Sequence, residues 1–344
     1  MLSDIILRDV EELCGHLDRE FLREKTVLLT GSSGLIGTYI LAYIAYLNKR
    51  GFSINAYAQS FLEPPPHMRE LMQNGNINHL RVDLADTSQY GRLPHADVII
   101  HSAGYAQPML FMFNPVATLQ INVTATIALL QRLRPNGSFI FMSSAEVYCG
   151  LVDTIFREDR IGTSTPYHPR ASYIEGKRSG EAVCSAFRSQ GVRAMAIRLG
   201  DVYGPGTRKH DKRALNSFIE QALLKKKIEL LDSGSAIRTY CYVADALELI
   251  LNILFNGKQS VYNVGGQSSA SIAELALLIG KLTGTSVVFP DKESTVTGSP
   301  PVLRLDLDRV ATEFNKTEYM GLNDGLTRTI TWQTELYSNA GTGS

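Results

Sequence analysis

The chain alternates short, almost wholly apolar runs with longer stretches whose apolar residues recur every three or four positions. Lys25-Thr26-Val27-Leu28-Leu29-Thr30 is the first such run and reads as a buried parallel strand, and the next stretch, 35–48, keeps helical spacing. Further strand candidates recur at 54–58, 79–82, 96–101, 138–143 and 193–198, separated by helical patterns or long connections. Strand-helix alternation of this kind predicts an α/β fold, a doubly wound parallel sheet with helices on both faces. Ahead of the first strand, Ile5, Ile6, Val10, Leu13, Leu17 and Phe21 share one face behind Ser3 as N-cap. They predict a lead-in helix packed on the outside of that strand. Past Gly204-Pro205-Gly206 the pattern changes to a helix over 213–226, a short strand at 228–231, a turn at 232–235, and helices over 243–254 and 271–282. The resulting organisation is a lead-in over 1–24, a sheet domain over 25–205, and a smaller mixed α/β lobe over 206–335 with the chain crossing between the two. The small, polar tail 336–344 is expected to be disordered.

Where the first strand ends, the chain reads Gly31-Ser32-Ser33-Gly34-Leu35-Ile36-Gly37, three glycines at a strand-to-helix turn. Gly31 permits the tight bend, Gly34 lets backbone approach a pyrophosphate, and Gly37 lets helix and strand pack closely. The helix N-terminus offers free N–H groups and partial positive charge to phosphate. A Rossmann-type dinucleotide site is therefore expected, with GxxGxxG in place of GxGxxG spacing. After the second strand, Pro64-Pro65-Pro66 predicts an irregular loop near the adenosine end of such a ligand.

Composition narrows the partners. The 344 residues are 44% hydrophobic and 20% charged with a formal net charge of zero, so no global electrostatic case exists for nucleic acid or an anionic membrane. Lys225-Lys226-Lys227 reads as a solvated helix end. Cys14, Cys149, Cys184 and Cys241 lie far apart without CxxC or Cys/His spacing, which argues for reduced thiols and against a structural metal. No run approaches the length of a membrane span, and 1–24 is amphipathic and acidic where a signal peptide would be basic and then apolar. A cytoplasmic protein is expected.

Tyr173 and Lys177 stand four residues apart, on one face of a helix. An ammonium beside a phenol stabilises the phenolate and makes tyrosine a usable base near neutral pH. Ser144 and Glu146 follow a strand at its C-terminal end, where open α/β sheets bind ligands; the serine can hydrogen-bond a hydroxyl and the glutamate can act as acid or base. His101 reads as a residue that fixes the backbone at a strand end, and Arg238 with Asp245 as either a substrate contact or a structural ion pair.

Gly31 to Gly37, His101-Ser102-Ala103-Gly104, Asn122, Ser143-Ser144, Tyr173 with Lys177, Tyr203-Gly204-Pro205 and Arg238-x-x-x-Tyr242-Val243-x-Asp245 together resemble the extended short-chain dehydrogenase/reductases that act on nucleotide sugars. The resemblance covers roughly residues 25–330. It implies a tightly bound NAD regenerated in each cycle and held by Gly31, Ser33, Gly34, Leu35, Ile36 and Gly37. Asp83 and Leu84 would lie at the adenine, Ser102, Ala103, Gly104, Asn122 and Ser143 along the cofactor, and Tyr173 and Lys177 at the nicotinamide. Ser144, Tyr173, Asn216, Arg238 and Arg304 are implied substrate contacts, and a four-helix homodimer interface is implied for the helices around 115–133 and 171–190.

Within that family, Pro169 to Glu181 is similar to the PRxxYxEGKRxxE segment of UDP-glucuronate decarboxylases. The expected substrate is a nucleotide-diphosphate sugar, with UDP-glucuronate leading, NDP-hexose 4,6-dehydration or 4-epimerisation as alternatives, and a non-catalytic dinucleotide sensor as a different class. The chain departs from the pattern at several points. Gln59 and Ser60 occupy the place of the ribose-binding acid, which leaves NADP open. Asp201 replaces asparagine, Ala145 a serine and Cys149 a glycine, and the segment 298–306 is altered.

Overall fold

The computed structural model of the chain describes residues 2–15, 17–73, 76–290 and 302–338. The side chain of Ser3, the altered segment at 298–301 and the tail from 339 lie outside the described residues. Strands β1 (Thr26–Thr30), β2 (Asn55–Ser60), β3 (Ile77–Arg81), β4 (Ala96–His101), β5 (Leu133–Ser144) and β6 (Arg193–Leu199) form one sheet. Then β7 (Asp201–Tyr203), β8 (Lys227–Glu229) and β9 (Ile237–Tyr242) leave it, and β10 (Val261–Val264) returns to pair with β6. The lobe is completed by β11 (Ser268–Ser271), β12 (Ser286–Val288) and β13 (Val302–Leu303). The main sheet is parallel throughout, in the order β10-β6-β5-β4-β1-β2-β3. Its strand order reverses between β1 and β4, and in open α/β sheets such a reversal opens a crevice at the carboxyl ends of the strands.

Helices α1 (Leu2–Leu13), α2 (Leu35–Asn48), α3 (Pro66–Met72), α4 (Pro108–Phe113), α5 (Pro115–Leu119), α6 (Ala125–Leu130) and α7 (Ala171–Arg188) belong to the sheet domain. Helices α8 (Ala214–Lys225), α9 (Val243–Asn256), α10 (Ile272–Thr283), α11 (Asp308–Phe314) and α12 (Leu322–Ser338) come after them in the chain. The strand residues alternate between two cores, as the twofold side-chain period requires. Val27, Leu29, Ile140 and Met142 face α2 and α9, while Leu28, Phe139 and Phe141 face α6 and α7. No helix among the described residues is long and apolar enough to cross a membrane, and all four cysteines are free.

Three local expectations are corrected. The lead-in helix stops at Leu13 and packs on α2 and α12 rather than on β1, because its apolar face meets Tyr39 and its buried Asp9 ties three elements together. Asp9 accepts hydrogen bonds from Tyr39 (2.5 Å), Tyr242 (2.6 Å) and Arg328. The proline triplet is only partly irregular. Pro66 is the first residue of α3, where its missing N–H costs nothing. The last helix runs to Ser338, into the stretch read as a tail.

Candidate active site

The glycine turn sits in the crevice at the strand reversal. Gly31 takes a positive φ of 65°, and a Cβ there would stand 2.5 Å from the Ser102 carbonyl, so β1 and the segment after β4 approach as only glycine allows. A Cβ at Gly37 would stand 2.5 Å from the carbonyls of Gly31 and Ser32. Gly34 precedes α2 without a side-chain cap, leaving that helix's first N–H groups free for a ligand. Ser32 is fully buried with an unpartnered hydroxyl, and Asn122 is fully buried with an unpartnered Oδ1. Bare helix N–H groups, a side-chain-free turn and orphaned polar atoms fit a bound dinucleotide.

The surrounding candidates divide into those that face the crevice and those that brace it. Ser102 donates to the Thr30 carbonyl at 3.3 Å, and Ala103 donates to Thr30 Oγ1 at 3.3 Å. His101 is the brace the sequence suggests: its Nε2 donates to the Ile121 carbonyl (2.9 Å) and its Nδ1 accepts from Thr30 Oγ1 (2.7 Å), a tautomer assigned from these partners. Gly104 lies over Lys177, with 3.8 Å between the ammonium nitrogen and the place of a Cβ. Asn122 sits in a π turn, Gln120–Thr124, joining α5 to α6, and donates back to the Thr118 carbonyl at 2.8 Å. Leu84 is core. The Asp83 carboxylate accepts from the Ala85 N–H at 2.9 Å and turns the chain after β3.

Ser143 donates to Glu181 at 2.5 Å, so its side chain points into the protein. Asn216 is buried and accepts from Gln333 at 3.1 Å. Arg304 is exposed between Leu303 and Leu305, which are buried against Ala145 and Val147. Asp245 pairs with Lys316 at 2.8 Å and not with Arg238, because Lys316 on the α11–α12 connection reaches it inside the lobe.

Tyr173 and Lys177 share the inner face of α7. The ammonium is 5.6 Å from the Tyr173 ring centroid and donates to the Met142 carbonyl at 2.7 Å, at the end of β5. Burial pushes Lys177 down to about 7, and the charge of Glu181 opposes that shift. Burial pushes the Tyr173 phenol up to about 12; the hydrogen bond with Ser144 pulls it back, Glu146 pushes it further up, and Arg170 and Arg213 pull it down. In the protein alone, desolvation outweighs the activation expected from Lys177.

Two partners of Tyr173 were not singled out by sequence reasoning. Phe111 of α4 stacks on the phenol ring with centroids 4.4 Å apart and planes 15° apart. Arg170, at the N-terminus of α7, pairs with Glu146 at 2.6 Å, both side chains mostly buried. Arg170 is legible as the arginine of the PRxxY segment, three residues ahead of Tyr173; Phe111 carries no local signal, since its role depends on where α4 folds. Ser144 caps the short turn Ala145–Tyr148 by accepting from the Glu146 N–H at 3.2 Å, which aims the glutamate into the crevice. Burial raises the Glu146 pKa, Arg170 lowers it and Asp201 raises it, and Oε2 of Glu146 is buried without a partner.

Asp201 stands opposite, paired in register with Tyr240, so it shares a sheet face with Arg238 two residues back on β9. The residue keeps access to solvent, and its pKa is raised by desolvation against the pull of Arg238, Arg213 and Arg170. Two carboxylates and three guanidiniums thus act on one another beside the phenol. Asp201→Asn removes the like charge facing Glu146. The ionisation of Glu146 in the pH-rate profile is therefore expected to move to lower pH, and an unmoved profile would separate the two acids.

His101 and His67 are buried, and burial pushes both down to about 4. The unfolded chain, with histidine near 6.5, binds more protons than the folded one between these values, so stability falls as pH drops from about 6.5 to about 4. Thermal melts across that window should show the loss, and His67→Gln should remove part of its slope.

The chain is 25% identical over 306 residues to UDP-glucuronic acid decarboxylase 1 of Arabidopsis thaliana, covering 88% of this chain and 68% of that protein. It is 28% identical over 271 residues to UDP-glucuronic acid decarboxylase 1 of Xenopus tropicalis, covering 77% of this chain and 63% of that one. In fold it is similar to the dTDP-glucose 4,6-dehydratase DesIV of Streptomyces venezuelae (TM-score 0.78, 21% identity, 91% of this chain and 98% of that chain). It is also similar to the UDP-glucuronic acid 4-epimerase of Bacillus cereus (TM-score 0.75, 24% identity, 91% and 100%). The profile of one family matches residues 27–265, which hold the glycine turn, Ser144, Glu146 and the Tyr173–Lys177 pair; this chain belongs to the NAD dependent epimerase/dehydratase family.

Proposed function

We propose that the protein decarboxylates UDP-glucuronate through a 4-keto sugar, releasing carbon dioxide and UDP-xylose or its 4-keto pentose. The observation that carries this reading is the charge cluster beside Tyr173, where Glu146 is clamped by Arg170 and the carboxyls of Glu146 and Asp201 lie in the field of Arg170 and Arg238. The relatives named UDP-glucuronic acid decarboxylase support it. NAD, when bound, would supply a hydride acceptor and positive charge; return of the hydride to C4 gives UDP-xylose, and release before that return gives the 4-keto pentose with the cofactor left reduced. Tyr173 takes the proton from the sugar C4 hydroxyl, with Ser144 hydrogen-bonding the same oxygen as charge builds there. The substrate carboxylate is then β to a carbonyl, and its loss leaves the electrons in an enolate. Glu146 delivers the proton that C5 needs after carbon dioxide leaves, and Arg170 keeps its carboxyl in place. Arg213 and Arg238 bind the diphosphate and carboxylate charges.

Incubation of purified protein with UDP-glucuronate and NAD should yield carbon dioxide and a UDP-pentose in equal amounts. Conversion to UDP-galacturonate without carbon dioxide, or turnover of a neutral hexose nucleotide alone, would overturn the decarboxylase reading. The pairing of two copies into a homodimer is supported by Met109, Phe113, Val116 and Leu119, apolar yet exposed along α4 and α5. Light scattering at twice the chain mass tests it. Four free thiols support a reducing, cytoplasmic setting, which fractionation tests.

A further inference from the structure

Three segments that the mechanism does not use meet at the glycine turn. The loop 204–208 folds back over the start of α2, where Gly206 lies against Leu35 and Thr38. From this loop Arg208 donates through Nε to the Ser33 carbonyl at 2.9 Å. Among the described residues it has no carboxylate partner and its terminal amino groups make no hydrogen bond. Burial lowers the pKa of Arg208 with no acid acting against that shift.

His67 of α3 is beside it. The imidazole is 6% exposed, its Nε2 has no partner, and burial and the Arg208 charge both press it toward the neutral form. Trp332 of α12 stands edge-on to His67 with centroids 5.0 Å apart, and its indole N–H donates to the Thr207 carbonyl at 3.1 Å. The buried hydroxyl of Ser32, the residue before Ser33, is also unpartnered. A mostly buried cation without a counter-charge is costly, and unpaired donors gathered at a helix N-terminus are satisfied by an anion.

We propose that Arg208, with His67 beside it, binds a phosphate group of the dinucleotide. Two phosphates share this chemistry: the pyrophosphate common to NAD and NADP, and the 2′-phosphate of NADP. The ribose end is compatible with either. Gln59, at the position of the usual acid, spends its amide on the Gly31 N–H (3.1 Å) and the Val82 carbonyl (2.6 Å). Ser60 is held by the Leu62 carbonyl (2.6 Å) and His79 (2.9 Å), so neither residue adds a charge that would repel a 2′-phosphate. The inference rests on the family's dinucleotide site and is independent of which sugar is processed.

The test is calorimetric titration of the intact protein with NAD and with NADP, seconded by the fluorescence of Trp332, the chain's one tryptophan. Arg208→Lys and Arg208→Met both lose the Nε–H that is donated to Ser33, and only the lysine variant keeps the charge. The lysine variant is expected to bind at least one dinucleotide about tenfold more tightly than the methionine variant, with the gap closing at high salt. A gap of similar size for both dinucleotides assigns the pyrophosphate; a gap for NADP alone assigns the 2′-phosphate. His67→Gln should weaken the same dinucleotide. Equal affinities of the lysine and methionine variants for both NAD and NADP would overturn the proposal, whatever the variants' melting temperatures, and because the readout is binding, it would do so without touching the decarboxylase reading.

Discussion

Tyr173→Phe is expected to lower turnover of UDP-glucuronate by about 10²–10⁴-fold, while the affinity for NAD stays within about twofold of wild type. The substitution keeps the ring, and the ring is what packs: it stacks on Phe111 at 4.4 Å in a buried site, so the phenylalanine variant should fold and melt like the parent. What it removes is the one oxygen that shares a hydrogen bond with Ser144 beside Glu146 and under the field of Arg170 and Arg213. Steady-state kinetics and a binding titration on the same preparation read the two effects separately. Activity surviving within a factor of about ten would mean that another group takes the C4 proton.

The second large effect is on stability. Arg198→Leu should destabilise the fold by about 3–5 kcal/mol, because it leaves a carboxylate buried without its partner. Arg198 Nη2 pairs with Glu181 Oε2 at 2.8 Å, with side-chain exposures of 4% and 10%. The same guanidinium donates to the carbonyls of Glu158 (3.2 Å) and Arg160 (2.9 Å), and to Tyr148 (2.9 Å). Glu181 in turn accepts from Ser143 at 2.5 Å, next to Ser144, so the network braces the floor of the active site from behind. Removing both charges in Arg198→Leu/Glu181→Leu should recover the part of the loss that lies in the orphaned carboxylate, while the hydrogen bonds to Tyr148, Glu158, Arg160 and Ser143 stay lost. Denaturant midpoints on the two single variants and the double variant test this. A single variant within about 1 kcal/mol of wild type would place the pair among those that contribute little.

Local chemistry made much of the fold legible. The runs at 26–30 and 96–101 became β1 and β4 as read, because buried parallel strands are apolar on both faces and need no context to be recognised. The helices near 214–225, 243–256 and 272–283 followed from their periodicity, and Ser271 with Glu274 forms the capping box that starts the last of them. Strand β5 begins earlier than its apolar run, at Leu133, which pairs with Ala96; the register then shifts before Ser138 pairs with Val98, and Asn136 takes a positive φ of 61° in between, a break that local apolarity does not report. The lead-in helix forms where its apolar spacing predicts but packs on α2 and α12 and not on β1, because apolar spacing gives a face and not the partner of that face.

The sequence by itself determined the kind of site: a glycine turn between strand and helix, a tyrosine and lysine one helical turn apart, and a serine and glutamate at a strand end. Each is a spacing within one element, and spacing within one element is fixed by backbone geometry. Only the tertiary structure decided how those groups are charged and braced. Burial, which no local pattern reports, sets Tyr173 near 12 and Lys177 near 7. Likewise Arg170 meets Glu146, Phe111 covers Tyr173, Ser143 turns inward to Glu181, and Arg208 arrives over the glycine turn, all through contacts between segments distant in the chain. Desolvation and long-range charge depend on what surrounds a residue in space, and that is settled only when the sheet, its helices and the crossing lobe have packed.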